Sequence, residues 1–222
     1  MFKGALFDLD GVIADTAILH FKAWQQLMRT HFKIELPLEL ETKTKGVSRN
    51  DSLQTILNFC EIKVSSTQFI QLAAEKNTIY QSFLTELTST NILPGITRLI
   101  NDLRVNHIPL ALASASQNGP LILDKLGLRH NFAAIEDPSQ VKHGKPAPDI
   151  FIAAANSLGL DPIDCVGFED SIAGITAINT SGATAIAIGN ATELKAATIV
   201  VNNTDKLSFN TITTAFIEAH KE

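Results

Sequence analysis

Two aspartates that lie two positions apart, Asp8 and Asp10, follow the first apolar stretch of the sequence and come directly before Gly11. In an extended chain such positions point the same way, so the two carboxylates share one face while Leu9 faces the core. At ~4 Å, two like charges repel by about 4 kcal/mol at an effective dielectric of 20, so one carboxylate must be protonated or a cation must lie between them. An Asp-x-Asp-Gly string alone also fits an ordinary turn or helix cap.

Further polar residues end later apolar stretches. Ser114 and Ser116 follow one of them, Glu169 and Asp170 follow another, and Lys145 lies in a loop. Hard carboxylate oxygens with no neighbouring Cys or His favour Mg²⁺, which commonly bridges to phosphate. The acids therefore predict a magnesium site with Asp8, Asp10, Glu169 and Asp170 as its candidate ligands.

The elements that must position these residues change in kind along the chain. Residues 3–9 are β-prone and apolar, whereas residues 17–28, 52–59 and 68–83 have the 3.6-residue periodicity of helices. After Pro94 and Gly95, predicted strands at 109–113, 133–135, 165–168, 184–188 and 198–201 alternate with helices at 96–105, 119–126, 149–158, 171–181 and the C-terminal end. This alternation predicts an α/β fold, with a parallel sheet that is covered by helices on both faces.

The first predicted strand is separated from the others by about eighty helical residues, which is too long for an ordinary connection. We therefore expect an inserted helical cap at residues 15–93 and an α/β core made of residues 1–14 and 94–222. Ligands of open parallel sheets bind beyond the carboxyl ends of the strands. The polar residues that follow the strands are thus expected to meet at one edge of the sheet.

Composition narrows the classes of partner. The chain has 222 residues, of which 45% are hydrophobic, so a sizeable core is expected. Its net charge of −5 disfavours nucleic acid or an anionic membrane surface as a partner. Only two cysteines are present, which are too few for a disulfide framework or a zinc site. No apolar stretch is long enough to span a bilayer and no export leader is evident, so we expect a cytoplasmic protein. Nothing in the sequence calls for more than a monomer.

Four segments occur in a recognisable order: FDLDGVIADT at 7–16, ALASAS at 111–116, GKPAPDIF at 144–151 and GFEDSIAGI at 167–175. Together they resemble the four motifs of the haloacid dehalogenase superfamily of phosphotransferases, over essentially the whole chain. The resemblance implies a Rossmann-like core, with Asp8 as the nucleophile that becomes an aspartyl phosphate and Asp10 as general acid and base. It also implies Mg²⁺ held by Asp8, the Asp10 backbone carbonyl, Glu169 and Asp170. The transferring phosphoryl oxygens would contact Ser114, the Ala115 amide and Lys145.

Two segments, KGVSR at 45–49 and SASQN at 114–118, together with His20, Trp24 and Lys76, are similar to those of sugar phosphomutases in this superfamily. This similarity implies a small sugar phosphate as substrate, with interconversion of β-glucose 1-phosphate and glucose 6-phosphate through a bisphosphate intermediate. The second phosphate would be held by Arg49, Ser116, Gln117 and Asn118, with backbone contacts from Gly46 and Val47. Gln117 departs from the pattern, because a lysine is expected there, and the loss of one cation is expected to weaken the grip on that phosphate.

The resemblance also assigns a gating role to cap residues. Thr16 at the hinge, together with His20, Trp24 and Lys76, would couple closure of the cap to the positioning of Asp10. Purely structural roles stay open for most of these residues. His20 and Trp24 are four apart on one predicted helix, which packing within the cap also explains, and Lys76 is also consistent with an extended surface lysine. Likewise, Arg49 and Lys145 fit solvated loop charges, and Ser114 fits a strand-end hydroxyl that satisfies the backbone.

Two other functions share much of this pattern. A sugar-phosphate phosphatase would form the same aspartyl phosphate but would transfer the phosphoryl group to water. A non-enzymatic sugar-phosphate sensor on the same fold is disfavoured by the intact set of acids. A second phosphate site in the cap, which Arg49 and Asn118 suggest, distinguishes the mutase from the phosphatase.

Overall fold

The structure, a computed structural model, describes residues 1–221. Within this range a sheet of six strands forms the centre, and every adjacent pair is parallel. The strands are β1 Gly4–Phe7, β2 Leu110–Leu112, β3 Ala134–Ile135, β4 Cys165–Glu169, β5 Thr184–Ile188 and β6 Ile199–Val201. Their order across the sheet is β3-β2-β1-β4-β5-β6, which confirms the predicted α/β class with a parallel sheet.

Helices account for most of the remaining chain. Within residues 1–221, five of them lie between β1 and β2: α1 Ala17–Phe32, α2 Glu39–Thr44, α3 Arg49–Phe59, α4 Ser66–Leu84 and α5 Ile96–Val105. The others are α6 Gly119–Leu126, α7 Asp149–Ser157, α8 Ile172–Ser181 and α9 Phe209–Ala219. Helix α2 was not predicted, because its six residues bury only Leu40 and so carry no periodic apolar signal.

Two apolar layers cover the faces of the sheet, and a third apolar cluster belongs to the inserted helices. The third cluster contains Trp24, Leu27, Leu53 and Leu72, which come from α1, α3 and α4. Helix α4 also reaches the core, since Tyr80 packs in the cluster that contains β1 residues. The inserted helices thus have a core of their own, while the boundaries predicted for cap and core stay a prediction.

The order of the strands decides where the site lies. Strand β1 lies between β2 and β4, and Phe7 is in register with Leu112 on one side and Phe168 on the other. The Asp8 amide continues the ladder by donating to the Phe168 carbonyl at 3.0 Å. The carboxyl ends of three neighbouring strands, β2, β1 and β4, therefore meet at one edge. Across residues 1–221, no helix has the length and apolar character needed to cross a membrane.

Candidate active site

Three carboxylates converge at this edge of the sheet. Asp8 follows β1, Glu169 ends β4 and Asp170 follows it, and one ligand oxygen from each lies within 4.8 Å of the others. Glu169 is fully buried and its Oε1 accepts a hydrogen bond from the Ser171 hydroxyl. Its Oε2 has no hydrogen-bond partner among residues 1–221. A buried carboxylate oxygen without a donor, next to two further acids, is an environment suited to a bound cation.

The electrostatics of these acids also indicate a shortage of positive charge. Burial, followed by the nearby Asp8 carboxylate, raises the pKa of Glu169 to about 8. Burial likewise raises the pKa of Asp170 to about 6, although the Lys45 ammonium opposes this shift. Ionised carboxylates are thus disfavoured here unless a further cation is supplied, and a hard divalent ion fits this oxygen-only donor set.

Lys145 supplies one positive charge beside the candidate nucleophile. Its Nζ lies 2.5 Å from Asp8 Oδ1 and 3.5 Å from Glu169 Oε2, and the residue is only 2% exposed. Burial lowers the pKa of Lys145, but Asp8 and Glu169 outweigh this effect and raise it above its usual value. The ammonium therefore stays charged at the position where a transferring phosphoryl group would meet Asp8.

Asp10 has a different environment from Asp8. Thr16 Oγ1 donates to Asp10 Oδ1 at 2.5 Å, and His20 Nε2 lies 3.7 Å from Asp10 Oδ2. Burial, followed by repulsion from Asp8, raises the pKa of Asp10 to about 7. A carboxyl group with a pKa near neutrality both donates and accepts a proton readily, as general acid and base catalysis requires.

The cap supplies two further residues near Asp10, of which Lys76 is buried and His20 is partly exposed. Lys76 Nζ lies 2.5 Å from His20 Nδ1, and its ammonium lies over the rings of Trp24 and Tyr80 at 4.8 and 4.9 Å from their centroids. The His20 ring stacks on Tyr80 at 3.7 Å. Burial, followed by the charge of Arg49, lowers the pKa of Lys76 to about 7, and burial lowers that of His20 well below its usual value. Lys76 is therefore a buried residue and not a surface lysine.

Replacement of Lys76 with methionine is expected to stabilise the fold. With a folded-state pKa of about 7 against an ordinary 10.5, the cost of the buried ammonium is fully present below pH 7 and declines as the pH rises towards 10.5. At pH 7, Lys76→Met should raise the free energy of unfolding by about 2 to 4 kcal/mol and flatten its rise between pH 7 and 10. Urea unfolding at several pH values measures this change, with Lys22→Met on the exposed face of α1 as control. A loss of stability at pH 7 would show that the aromatic contacts outweigh the cost of burial.

The predicted phosphate-binding residues lie around a cavity of about 720 Å³ between the inserted helices and the sheet edge. Arg49 at the start of α3 donates from Nη2 to Gln117 Oε1 at 3.0 Å, so the cap and the core are joined at its mouth. The cavity is lined by most predicted site residues: Asp8, Asp10, His20, Trp24, Gly46, Val47, Arg49, Lys76, Ala115, Ser116, Gln117 and Lys145.

The other predicted site residues lie behind this lining. Thr16 holds Asp10, and the Ser114 hydroxyl accepts from the Ser116 amide at 3.1 Å. The side-chain amide of Asn118 donates to Asn77 at 3.0 Å and accepts from Gln81 at 2.9 Å, both on α4. In this conformation Asn118 therefore joins the core to the cap, and its contact with a phosphate stays a prediction.

Sequence reasoning missed several residues of the site. Lys45 Nζ lies 2.6 Å from Asp170 Oδ2, so a cap residue contacts a candidate metal ligand directly. Ser171 bonds to Glu169, and Tyr80 stacks on His20. Signals for two of them were present, because Lys45 opens the segment KGVSR and Tyr80 follows Lys76 by one helical turn. Lys142 in the loop before Lys145 also lines the cavity and had no signal in the sequence.

Comparisons of the sequence and of the fold with known proteins identify similar proteins. Residues 2–182 match the family described as haloacid dehalogenase-like hydrolase. The chain is 40% identical over 210 residues to the β-phosphoglucomutase of Bacillus subtilis, covering 93% of this chain and 92% of that protein. It is 33% identical over 189 residues to the fructose-1-phosphate phosphatase YqaB of Escherichia coli, covering 83% and 95%. The crystal structure of β-phosphoglucomutase from Clostridium difficile superposes with a TM-score of 0.96 at 39% identity, covering 99% of both chains.

Proposed function

Because the chain belongs to the haloacid dehalogenase-like hydrolase family, we propose that it is a phosphoryl-transfer isomerase that interconverts β-D-glucose 1-phosphate and β-D-glucose 6-phosphate. The family predicted from the four motifs is confirmed, and similarity to two β-phosphoglucomutases over nearly the whole chain supports the reaction. One observation carries the proposal. The cavity is lined both by Lys145, whose Nζ lies 2.5 Å from Asp8, and by Arg49 of the inserted helices, which contacts Gln117 of the core.

Asp8 is the proposed nucleophile. The phosphorylated Asp8 transfers its phosphoryl group to the 6-hydroxyl oxygen of β-glucose 1-phosphate, which yields β-glucose 1,6-bisphosphate and a free carboxylate. The bisphosphate then presents its other phosphate, and Asp8 attacks that phosphorus while the bond to the sugar C1 oxygen breaks. Glucose 6-phosphate leaves, and Asp8 is again phosphorylated. Lys145, within 2.5 Å of Asp8, offsets the repulsion between a carboxylate and an anionic phosphate.

Asp10 is the proposed general acid and base. In the first transfer its carboxylate takes the proton of the sugar hydroxyl, and in the second its carboxylic acid returns a proton to the leaving sugar oxygen. A pKa of about 7 suits both directions. Thr16 donates a hydrogen bond to one oxygen of Asp10, and His20 lies 3.7 Å from the other, so the group is flanked by the hinge and the cap.

We propose Mg²⁺ as the cofactor, held by Asp8, the Asp10 backbone carbonyl, Glu169 and Asp170. The three converging carboxylates, together with a Glu169 Oε2 that has no hydrogen bond within the described residues, fit a hard divalent ion. When bound, Mg²⁺ neutralises part of the negative charge of the carboxylates and the phosphoryl group. The other residues proposed for the phosphoryl oxygens are Ser114, the Ala115 amide and Lys145.

Closure of the cleft is proposed to separate mutase from phosphatase activity. Residues 15–93 would act as the cap over a core of residues 1–14 and 94–222. Because Asp10 lies near His20 of the cap, an open cap would leave Asp10 poorly oriented. Asp10 would then not activate water as an acceptor of the phosphoryl group, so hydrolysis would be slow. Of the remaining cap residues, Lys76 bonds to His20, and the Trp24 ring packs against the Lys76 ammonium. A cytoplasmic location, a monomeric state and the lack of nucleic-acid or membrane partners stay predictions.

The competing function is a sugar-phosphate phosphatase, which the similarity to a fructose-1-phosphate phosphatase keeps open. Both activities share the first step, and each tenfold preference between water and sugar as acceptor corresponds to only about 1.4 kcal/mol of barrier. The presence of Arg49 in the cavity lining favours the mutase, because a phosphatase of a sugar monophosphate has no second phosphate to hold.

Phosphorus NMR of the purified protein tests the proposal. With Mg²⁺, β-glucose 1-phosphate and a trace of β-glucose 1,6-bisphosphate, we expect glucose 6-phosphate to form faster than inorganic phosphate. Both products should disappear when the metal is removed with a chelator and return when Mg²⁺ is added. Inorganic phosphate as the sole product would replace the mutase with the phosphatase.

A further inference from the structure

The cations that line the cleft are not all available to a substrate. Among residues 1–221, five lysine or arginine side chains line the cavity: Lys45, Arg49, Lys76, Lys142 and Lys145. Lys145 is bonded to Asp8, and Lys45 is bonded to Asp170, so both charges are already opposed by carboxylates. Lys76 is bonded to His20, and burial lowers its pKa to about 7. Two cations remain for a second phosphate.

These two are Arg49 and Lys142. Arg49 contacts the neutral amide oxygen of Gln117, so its charge is not cancelled. Lys142 is exposed, and in the part of the chain that the structure describes its side chain has neither an ion pair nor a hydrogen bond within standard limits. A phosphate monoester carries about −1.5 to −2 charges at pH 7, which a single guanidinium does not balance. The charge of the second phosphate therefore exceeds that of Arg49 alone.

The loop that carries Lys142 has a defined conformation. The backbone amide and Nδ1 of His143 both contact Asp149 Oδ1, at 3.1 and 3.2 Å, and the Ala147 amide donates to the Gly144 carbonyl at 3.0 Å. These bonds tie the residues next to Lys142 to the start of α7. The position of the lysine backbone is thus set by the core, while its side chain stays free to meet a ligand.

The same loop faces the end of α3 that carries Arg49. A side-chain carbon at Gly144 would lie 3.8 Å from Ser48 Cβ, and Ser48 is the N-cap residue directly before Arg49. Lys142 and Arg49 therefore belong to opposite walls of the mouth, one on the core and one on the cap. A phosphate between them would be contacted by a cation from each wall.

We infer that Lys142 is a binding residue for the outer phosphate of the bisphosphate, opposite Arg49, in place of a cation at position 117. This inference rests on the proposed function, since the mutase binds a sugar bisphosphate, whereas a phosphatase of sugar monophosphates does not. Lys142 attracts the dianionic group as a point charge, whereas Arg49 binds it through directed donors. Its side chain makes this contact without taking part in phosphoryl transfer at Asp8.

Binding of β-glucose 1,6-bisphosphate to an Asp8→Asn background, in the presence of Mg²⁺, tests the inference by calorimetry. Addition of Lys142→Gln should weaken binding about tenfold and reduce its dependence on salt, because one charge-assisted contact is lost. Lys142→Arg should restore the affinity to within about twofold of the background. Lys195→Gln, an exposed lysine on the core away from the cavity, is the matched control and should not change the affinity.

The outcomes separate the two proposals. If the Asp8→Asn protein binds the bisphosphate and Lys142→Gln leaves that affinity unchanged, the role of Lys142 is overturned and the mutase stands. If the Asp8→Asn protein fails to bind the bisphosphate while it still binds glucose 6-phosphate, both the mutase and the role of Lys142 are overturned. If Lys142→Gln weakens bisphosphate binding tenfold and an added Gln117→Lys restores it, the role of Lys142 is supported, because a cation at either position then binds the outer phosphate.

Discussion

The Asp8→Asn protein is expected to lose the mutase rate by about 10⁴-fold or more, because an amide oxygen is a poor nucleophile and cannot form a stable aspartyl phosphate. The substitution keeps the shape of the side chain, and the neighbouring Lys145 keeps one hydrogen-bond acceptor. The fold should therefore be retained. Phosphorus NMR of sugar phosphates measures the rate, and incorporation of radioactive phosphate into the denatured protein reports the covalent intermediate.

Asp124→Asn in α6 is the control for this prediction. Asp124 is exposed, and its 3.8 Å ion pair with Arg129 lies outside the cavity, so its removal should change neither readout. An Asp8→Asn protein with an unaltered rate would remove the nucleophile assignment. A protein that loses the mutase reaction but still releases phosphate from sugar phosphates would show that water attacks phosphorus without Asp8.

Replacement of Lys145 with methionine is expected to lower both the free energy of unfolding and the mutase rate. The substitution leaves Asp8 and the fully buried Glu169 without the ammonium that now lies beside both carboxylates. Breaking a buried ion pair by removing one partner should lower the free energy of unfolding by about 3 to 5 kcal/mol. The rate should also fall by about 10³-fold, because the charge that faces the transferring phosphoryl group is lost.

The dependence of this loss of stability on pH and on Mg²⁺ would identify the effect as electrostatic. The loss of stability should grow from pH 5 to pH 8, because ionisation of Asp170 and then of Glu169, whose pKa values are about 6 and 8, increases the repulsion. Mg²⁺ should restore part of the stability by supplying positive charge to the same carboxylates. Urea unfolding with and without Mg²⁺ measures both, with Lys195→Met as control. A loss that does not change with pH or metal would point to packing against Phe151 instead.

The sequence predicted the fold well where local signals were strong. The apolar runs that became β1, β2, β4 and β5 were identified, because each is short, fully buried and followed by polar residues. Helix α1 was predicted to end near residue 28 but continues to Phe32, where Lys33 adopts a left-handed conformation that ends it. Such an end has no sequence signal when the residue is not glycine.

The sequence also anticipated why the acids of the site come together. Asp8 and Glu169 each stand at the carboxyl end of a buried parallel strand, and such ends share one edge of a sheet. What the sequence could not show is that β1 lies between β2 and β4, because strand order depends on long-range pairing and not on local pattern. With another order, Ser114 and Glu169 would lie on strands that are not neighbours of β1.

The kinds of chemical group in this site can be read from the amino-acid sequence: paired acids, a lysine before prolines and hydroxyls after a strand. Their charge states and their partners depend on the folded structure. In the folded protein Lys76 bonds to His20, and burial lowers the pKa of Lys76. Folding also places Lys45 beside Asp170, whereas no carboxylate opposes the charges of Arg49 and Lys142 in the described residues. The reason is that charge state and pairing depend on desolvation and on distances across the cleft, which residues far apart in the chain set together.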